Sequence, residues 1–111
     1  MFKTIMGYSI PKGTDPEEFW KYHTEVHAAD AMSAGGTAMK KYVINRVTSV
    51  TDGQTNLFGL VEIWWESEEA WRQAQQRFAS TKAASGKTQR EDFFSHAKME
   101  FRVIVDEVVK K

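Results

Sequence analysis

Four segments of the chain alternate apolar with other side chains at the period of two that a β-strand requires. Helical patterns separate them, in the order strand, helix, strand, strand, helix, strand. The strands are expected at residues 2–10, 39–50, 57–65 and 98–109, and the helices at 16–33, 68–78 and, as a short piece, 89–96. This order predicts an α+β, ferredoxin-like βαββαβ fold, with one antiparallel sheet and its helices on one face.

Local residue choices set the ends of these helices. Thr14 or Asp15 caps the first helix, and a proline and two glutamates follow at positions that favour a helix start. Gly35-Gly36 ends that helix, and Ser67 caps the second. The segment 79–88 is small and polar, so a mobile loop or a frayed helix end is expected there.

Composition limits the class of protein. The 111 residues suit a single domain, 1–111, and the zero net charge, with both signs interspersed, argues against a nucleic-acid partner. Cysteine is absent, which excludes disulfides, thiol catalysis and thiolate metal sites. The first residues lack the apolar run of a signal peptide or a membrane span, so a cytoplasmic protein without a membrane partner is expected.

The sheet face turned away from the helices is also expected to be apolar, because Val, Ile and Phe occur on both faces of the strands. An apolar open face of a sheet requires a partner. The simplest partner is a second copy of the chain. We therefore expect a homodimer that closes two sheets face to face into a dimeric α+β barrel.

The stretch 19–30 carries the candidate chemistry. At 100° per residue, one side of a helix collects eight of its residues: Phe19, Tyr22, Val26 and Ala29 at the centre, with Trp20, His23, His27 and Asp30 on the flank. Buried polar groups cost free energy unless they are paired. The two imidazoles are therefore either satisfied locally or line a cavity, and we expect the cavity.

His27 is the candidate catalytic acid or base. Asp30, three residues later, is expected to hydrogen-bond one ring nitrogen and fix the tautomer, and His23 lies on the same flank. The plainer alternative is a His–Asp pair that satisfies itself in the core. Both histidines and Asp30 could also hold a metal, but the zinc-helix pattern with its neighbouring glutamate is absent, so no metal is expected.

Strand residues supply candidate partners for a developing oxyanion. Tyr42 and Asn45 fall on opposite faces of their strand unless a bulge intervenes, and Tyr42 shares its face with Arg46. Glu62 is either an acid in an aromatic strand or an ion-pair partner of Arg46 or Arg102 across the sheet.

Aromatic side chains are abundant for this length, with seven Phe, four Trp and three Tyr. Most indoles belong to protein cores, but this many could also enclose a flat aromatic ligand. We assign substrate binding to five residues: Trp20, Asn45, Phe58, Glu62 and Trp64. A glycine-rich phosphate loop is absent from the sequence, so no cofactor is expected.

Three stretches resemble the EthD domain family of the dimeric α+β barrel superfamily: Asp15–His27 with its Glu-Val-His, Lys41–Val47 with Tyr-Val-Ile-Asn-Arg-Val, and Glu62–Ala70. The resemblance implies a homodimer with an active site between sheet and helices, and it places the family's frequent histidine at His27. Family members usually continue with Gly-Pro, whereas Ala28-Ala29-Asp30 stands here. The helix is therefore expected to continue, and the resemblance supplies no role for Asp30.

The resemblance also implies a range of chemistry, because the superfamily includes muconolactone isomerases, polyketide cyclases, dehydratases and cofactor-free monooxygenases. We predict a cofactor-independent enzyme of isomerase, cyclase or dehydratase type that acts on a cyclic or aromatic carbonyl compound. His27 would move a proton beside the carbonyl, and His23, Tyr42 or Asn45 would hold the oxyanion. The alternatives are a cofactor-free monooxygenase of aromatic or xenobiotic catabolism and a non-catalytic ligand-binding barrel.

Overall fold

One four-stranded antiparallel sheet forms the centre of the protein. The computed structural model describes residues 1–83 and 85–111. The strands are β1 (Phe2–Ser9), β2 (Met39–Arg46), β3 (Gly59–Trp65) and β4 (Lys98–Val105), in the spatial order β2-β3-β1-β4. The predicted ferredoxin-like fold is thereby confirmed. No helix in the described part of the chain has the length and apolarity needed to cross a membrane.

Four helices and one widened turn pack on a single face of this sheet. They are α1 (Pro16–Lys21), a π-helical turn (Tyr22–His27), α2 (Ala28–Gly35), α3 (Glu68–Ser80) and α4 (Gln89–Phe94), and a single 3-10 turn (Gly36–Ala38) leads from α2 into β2. The cap of the first helix is Asp15, not Thr14, because the Asp15 carboxylate accepts the backbone N–H groups of Glu17 and Glu18 at 2.9 and 3.0 Å. Such a cap satisfies N–H groups that have no partner inside the helix.

The π-helical turn changes which residues of the first helix face the sheet. The backbone N–H of Ala28 donates to the carbonyl of His23, five residues earlier, so this turn holds one residue more than an α-helical turn. Every later residue is rotated by roughly one α-helical step, about 100°. The prediction that Val26 and Ala29 point inward is therefore wrong: both are exposed, while His23, Ala28 and Ala31 are buried.

Strand register decides which side chains meet the helices. Tyr8 is fully buried in the core on the helix-covered face, beside Phe19 and Phe93. Tyr42 pairs with Ile63 on this face, whereas Asn45 pairs with Leu60 on the other. The regular pleat of β2 thus places Tyr42 and Asn45 on opposite faces, as the alternation predicts.

The strand ends and one alternation differ from the prediction. Strand β2 ends at Arg46 and β4 at Val105, earlier than predicted, although the backbone N–H of Val47 still donates to the Phe58 carbonyl at 2.8 Å. A bulge between Gly7 and Tyr8 places Met99 opposite Tyr8, so Met99 and Phe101 do not follow the regular alternation. In the predicted loop 79–88, α3 continues to Ser80 and Lys82 bridges to Thr88; Ala84 lies outside the described residues.

The sheet face away from the helices is largely apolar. Phe101 and Val103 on this face are 37% and 42% exposed, and Ile5, Val43 and Leu60 beside them are half-buried. Polar exceptions on this face are Lys3, Asn45 and Glu62, and the ammonium of buried Lys3 lies 3.0 Å from Glu62 and 2.6 Å from Glu107. This face is called the outer face below.

Candidate active site

A cleft lies between the helices and the inner face of the sheet. Its volume is about 90 Å³, several times the ~10–15 Å³ that one water molecule requires. His23, His27 and Tyr42 line it, and most of the remaining wall is apolar, formed by Val61, Ile63, Trp65, Trp71, Phe93 and Phe94. The cleft therefore suits a small, partly aromatic molecule.

His23 is held in one orientation by the sheet. Its side chain is 1% exposed, and its Nδ1 lies 2.6 Å from the hydroxyl oxygen of Tyr8. Burial raises the pKa of Tyr8, so this phenol keeps its proton, and Nδ1 is the acceptor available to it. We infer that Tyr8 donates to Nδ1 and that Nε2 carries the ring hydrogen, which finds no hydrogen-bond partner among the described residues.

Both imidazoles are neutral near pH 7. Burial, with a smaller contribution from the neighbouring His27, lowers the pKa of His23 to about 3. Burial also lowers the pKa of His27 to about 4; the carboxylate of Asp92 opposes this change and His96 adds to it. A neutral imidazole offers one lone pair and one N–H, so each ring can accept or donate a proton without first losing a charge.

Unlike His23, His27 is not held by a hydrogen bond from its side chain in the described part of the chain. Its ring lies 4.5 Å from the ring of Phe93 and 5.6 Å from that of His23, and it makes no hydrogen bond within residues 1–83 and 85–111. The side chain is only half-buried and lines the cleft. A ring nitrogen of His27 is therefore available to a bound molecule.

The expected hydrogen bond between Asp30 and His27 is not formed. The His27 ring instead lies against Phe93 of α4, and the backbone carbonyl of Asp30 accepts the Gln89 side chain at 2.8 Å. The carboxylate that acts on His27 is Asp92. A spacing of three residues allows two helical side chains to meet but does not compel them to.

Asp92 is a buried carboxylate with its own donors. It accepts the Tyr22 hydroxyl at 2.5 Å and the Ser85 hydroxyl at 2.7 Å. Burial opposes its ionisation, but these two hydrogen bonds and the nearby His96 and His27 hold the pKa of Asp92 below its ordinary value. Asp92 is therefore charged at neutral pH and supplies the negative potential behind His27.

Of the strand residues predicted for the site, Tyr42 lies in the cleft with His23 and His27. It lines the same cleft from β2, and its hydroxyl makes no hydrogen bond in the described part of the chain. Burial raises the pKa of Tyr42, so the phenol stays protonated and can donate. Among the described residues, the cleft thus contains two hydrogen-bond donors that have no acceptor, the Tyr42 hydroxyl and the His23 Nε2–H.

Asn45, Glu62 and Trp64 lie on the outer face and do not line the cleft. The carboxylate of Glu62 accepts Lys3 and Asn45, each at 3.0 Å, and the Trp64 indole donates to Glu107 at 2.8 Å. The structure does not bring these three residues together with the imidazoles. The ion pairs suggested between Glu62 and Arg46 or Arg102 are also absent, because both arginines are on the inner face.

Trp20 and Phe58 lie on the helix side but outside the cleft. Their rings are 6.3 Å apart, and the Arg46 guanidinium lies over both, 5.3 Å from the Phe58 ring. Arg46 also pairs with Glu17 at 2.8 Å. These residues close one end of the helix–sheet interface.

Sequence reasoning missed several residues of the cleft. Gln75, Gln89, Arg90 and Arg102 line it, and the side-chain oxygen of buried Gln89 has no hydrogen-bond partner in the described chain. Strand alternation places Arg102 on the face opposite Phe101 and Val103. This would have identified Arg102 as a cleft residue if the sequence had also shown which face the helices cover. Within residues 1–83 and 85–111, no group of three or more His, Asp or Glu residues is arranged to hold a metal.

Comparison with known proteins identifies the fold. No family model and no curated protein sequence matches the chain. Among solved structures, an EthD-like protein from Ralstonia eutropha covers 99% of this chain and 94% of its own, with 15% identity and a TM-score of 0.71. A dimeric ferredoxin-like protein from an uncultured marine organism covers 99% and 100%, with 20% identity and a TM-score of 0.65.

A third similar structure is that of an oxygenase. SnoaB from Streptomyces nogalater, a cofactor-independent oxygenase, covers 99% of this chain and 97% of its own, with 8% identity and a TM-score of 0.62. At these identities the likeness concerns the fold. The EthD resemblance of the sequence is confirmed at that level.

Proposed function

Taking the fold shared with EthD-like proteins as the premise, we propose that this protein is a small cofactor-independent enzyme for cyclic or aromatic carbonyl compounds. Its reaction is a proton transfer at the carbon beside the carbonyl, the step common to isomerisation, cyclisation and dehydration. The observation that carries the proposal is an unpaired, neutral His27 in an apolar cleft beside two uncommitted hydrogen-bond donors.

His27 acts first, as the base. Its free lone pair takes a proton from the carbon beside the substrate carbonyl, and the electron pair of that C–H bond moves onto the carbonyl oxygen to give an enolate. The imidazolium that forms is stabilised by the carboxylate of Asp92, whose charge favours protonated His27. Returning the proton to another atom of the substrate completes an isomerisation.

The enolate oxygen requires donors. The Nε2–H of His23 and the hydroxyl of Tyr42 serve this purpose, and neither has to break an existing hydrogen bond to do so. Tyr8 positions His23, since its hydroxyl keeps the ring hydrogen on Nε2. A neutral imidazole donor in a dry site polarises a carbonyl without protonating it. Asn45 and Asp30 have no part in this mechanism.

Hydrogen–deuterium exchange tests the proposal directly. Dihydrocoumarin and 1-tetralone, each with exchangeable protons beside a carbonyl, are incubated with the protein in D2O and followed by proton NMR without added cofactor. His27→Gln should slow catalysed exchange by roughly 10²- to 10⁴-fold. Tyr42→Phe should slow it by about 10²-fold through loss of one oxyanion donor.

Lys21→Gln is the control, because it introduces the same side chain at an exposed position of α1 outside the cleft. Exchange by this variant should equal that of the wild type. Equal exchange by wild type and His27→Gln contradicts the proposal, as does the absence of exchange above the buffer rate with both compounds. A pocket that binds these compounds without exchange would instead favour the ligand-binding barrel.

The fold likeness to SnoaB favours a second candidate, a cofactor-free monooxygenase in the same cleft. Such an enzyme would deprotonate an electron-rich phenol with His27 and let the phenolate react with oxygen. Oxygen consumption with 1,8-dihydroxyanthrone, measured without flavin or metal, distinguishes the two. Uptake that depends on His27 supports the oxygenase, and exchange without uptake supports the isomerase-type reaction.

The assembly proposed here is a homodimer through the outer face. Its exposed apolar residues, Phe101 and Val103, and the fold likeness to a dimeric ferredoxin-like protein support this assembly. Sedimentation at micromolar protein should give twice the mass of the chain. Val103→Glu should give the monomer, whereas a monomeric wild type contradicts the proposal.

A further inference from the structure

Two arginines converge at one wall of the cleft. Arg102 projects from the inner face of β4, opposite Met6, and Arg90 belongs to α4. The Nη2 of Arg90 and the Nη1 of Arg102 both donate to the same oxygen, Oε1 of Gln75, each at 3.1 Å. The two guanidinium groups therefore lie within twice that distance of each other. Both line the same cleft as His23 and His27.

Neither positive charge is neutralised by the protein. Throughout residues 1–83 and 85–111, the ion pairs involve Lys3, Arg46 and Arg72, and no carboxylate lies within ion-pair distance of Arg90 or Arg102. Arg102 is half-buried, and its burial and the nearby charge of Arg90 lower the pKa of Arg102. Partly buried charges in proteins are normally paired, and arginine stays charged under all ordinary conditions.

The pair has unused hydrogen-bonding capacity. A guanidinium carries five N–H groups in a planar fork, of which Gln75 accepts one from each arginine. The remaining N–H groups match the two oxygens of a carboxylate, which they bind in a bidentate manner. Gln75 itself is neutral, so it holds the two side chains together without neutralising them.

We propose that Arg90 and Arg102, bridged by Gln75, bind a carboxylate carried by the substrate. This inference rests on the proposed function, because it assigns the substrate class of the same cleft: a cyclic or aromatic carbonyl compound that also bears a carboxylate. Arg102 lies opposite Met6, two residues along β1 from Tyr8, which is about 7 Å along the sheet. A carboxylate and a carbonyl on opposite sides of one six-membered ring are separated by a comparable distance.

In this arrangement the two ends of the cleft have different tasks. The carboxylate is fixed at the arginines, the ring packs on the apolar wall, and the reacting carbonyl is directed to His23 and His27. Fixing the remote charge orients the reacting carbon and reduces the entropy cost of reaction. A neutral analogue of the same shape would lose that anchor.

Binding of benzoate and of its neutral analogue benzamide to the full chain, measured by isothermal titration calorimetry, tests the proposal without turnover. Benzoate should bind the wild type about tenfold more tightly than benzamide, since the anion gains charge-assisted hydrogen bonds. Arg102→Met, which keeps the apolar stem, should remove this preference by weakening benzoate alone. Arg90→Gln should reduce the preference, and Lys21→Gln, which removes an exposed charge from α1, should not.

Several results would overturn the proposal. They are equal binding of benzoate and benzamide by the wild type, an undetectable benzoate affinity at millimolar concentration, or a preference unchanged in both Arg90→Gln and Arg102→Met. Inorganic phosphate bound as tightly as benzoate would overturn it too, because the ring would then contribute nothing. Circular dichroism and thermal unfolding of Arg102→Met establish that the variant is folded, and Arg90→Gln, at an exposed position, supplies the second measurement.

The outcome is separable from that of the proposed function. A carboxylate preference without deuterium exchange, measured also with 4-oxocyclohexanecarboxylate, which carries both a ketone and a carboxylate, would leave this binding site in place and reject the proton transfer. Exchange without a carboxylate preference would reject this site alone.

Discussion

Acidification should destabilise this protein at a pH where most proteins are still near their optimum. The fold prefers neutral imidazoles at His23 and His27, whose pKa values are lowered to about 3 and about 4 from an ordinary 6.5. The unfolded chain therefore binds more protons than the native state below pH 6.5. The stabilisation is fully present above that pH and is lost as the pH falls toward the native pKa values.

The size of the effect follows from the same values. Each unit of pH below 6.5 costs about 1.4 kcal/mol per imidazole, so lowering the pH from 7 to 5 costs about 2 kcal/mol for each and about 4 kcal/mol for both. A domain of ordinary stability has about 5–15 kcal/mol in total. The carboxylates with lowered pKa values, such as Asp92 and Glu62, lose their contribution only below their ordinary pKa values of 3.8 and 4.5, outside this window.

Urea unfolding at half-unit pH steps, at one protein concentration, measures the slope. Fluorescence reports the transition, because Trp65 is fully buried. His27→Gln and His23→Gln should each lower the slope of unfolding free energy against pH by about half, whatever their effect on absolute stability, and the double variant should be nearly flat between pH 7 and 5. A wild type whose stability does not change over this range, or variants that keep its full slope, would refute the reasoning.

Two further substitutions test the residues that surround the histidines, namely the packing of Gly59 against Tyr8 and the effect of the Asp92 charge on His27. Gly59→Ala would place a Cβ 2.5 Å from the Tyr8 hydroxyl oxygen and 2.6 Å from its ring, so it should destabilise the fold by about 1–3 kcal/mol in urea unfolding; unchanged stability would contradict the close approach. Asp92→Asn removes the charge that favours protonated His27, so the pKa of His27 should fall below its value of about 4 in an NMR titration. It should also weaken the hydrogen bond from Tyr22; a His27 pKa that rises would contradict the assignment of Asp92.

Much of the fold was readable because the signals are local. The period of two in the strands is a property of the pleat, so it separated Tyr42 from Asn45 before any tertiary contact was known. The cap at Asp15 is equally local, since the side chain bonds to N–H groups two and three residues later. Strand ends were less predictable, because the length of a strand depends on how far its hydrogen-bonding partner in the sheet extends, and that partner is distant in sequence.

The site depended on features that no local pattern contains. A sequence read at 100° per residue placed Val26 inward and the histidines on a flank, whereas the π-helical turn directs His23 into the core. A strand pattern also cannot say which face the helices will cover, so Glu62 was assigned to the site and Arg102 was not, whereas the register places Arg102 on the inner face and Glu62 on the outer face.

The sequence by itself determined the order of elements, the two faces of β1, β2 and β3 and the presence of two imidazoles on the first helix, because each follows from residues close together in the chain. Only the tertiary structure decided that Tyr8 fixes His23, that Asp92 and not Asp30 acts on His27, and that Arg90 and Arg102 share Gln75. Those contacts join residues brought together by packing, and short-range periodicity carries no information about such pairs.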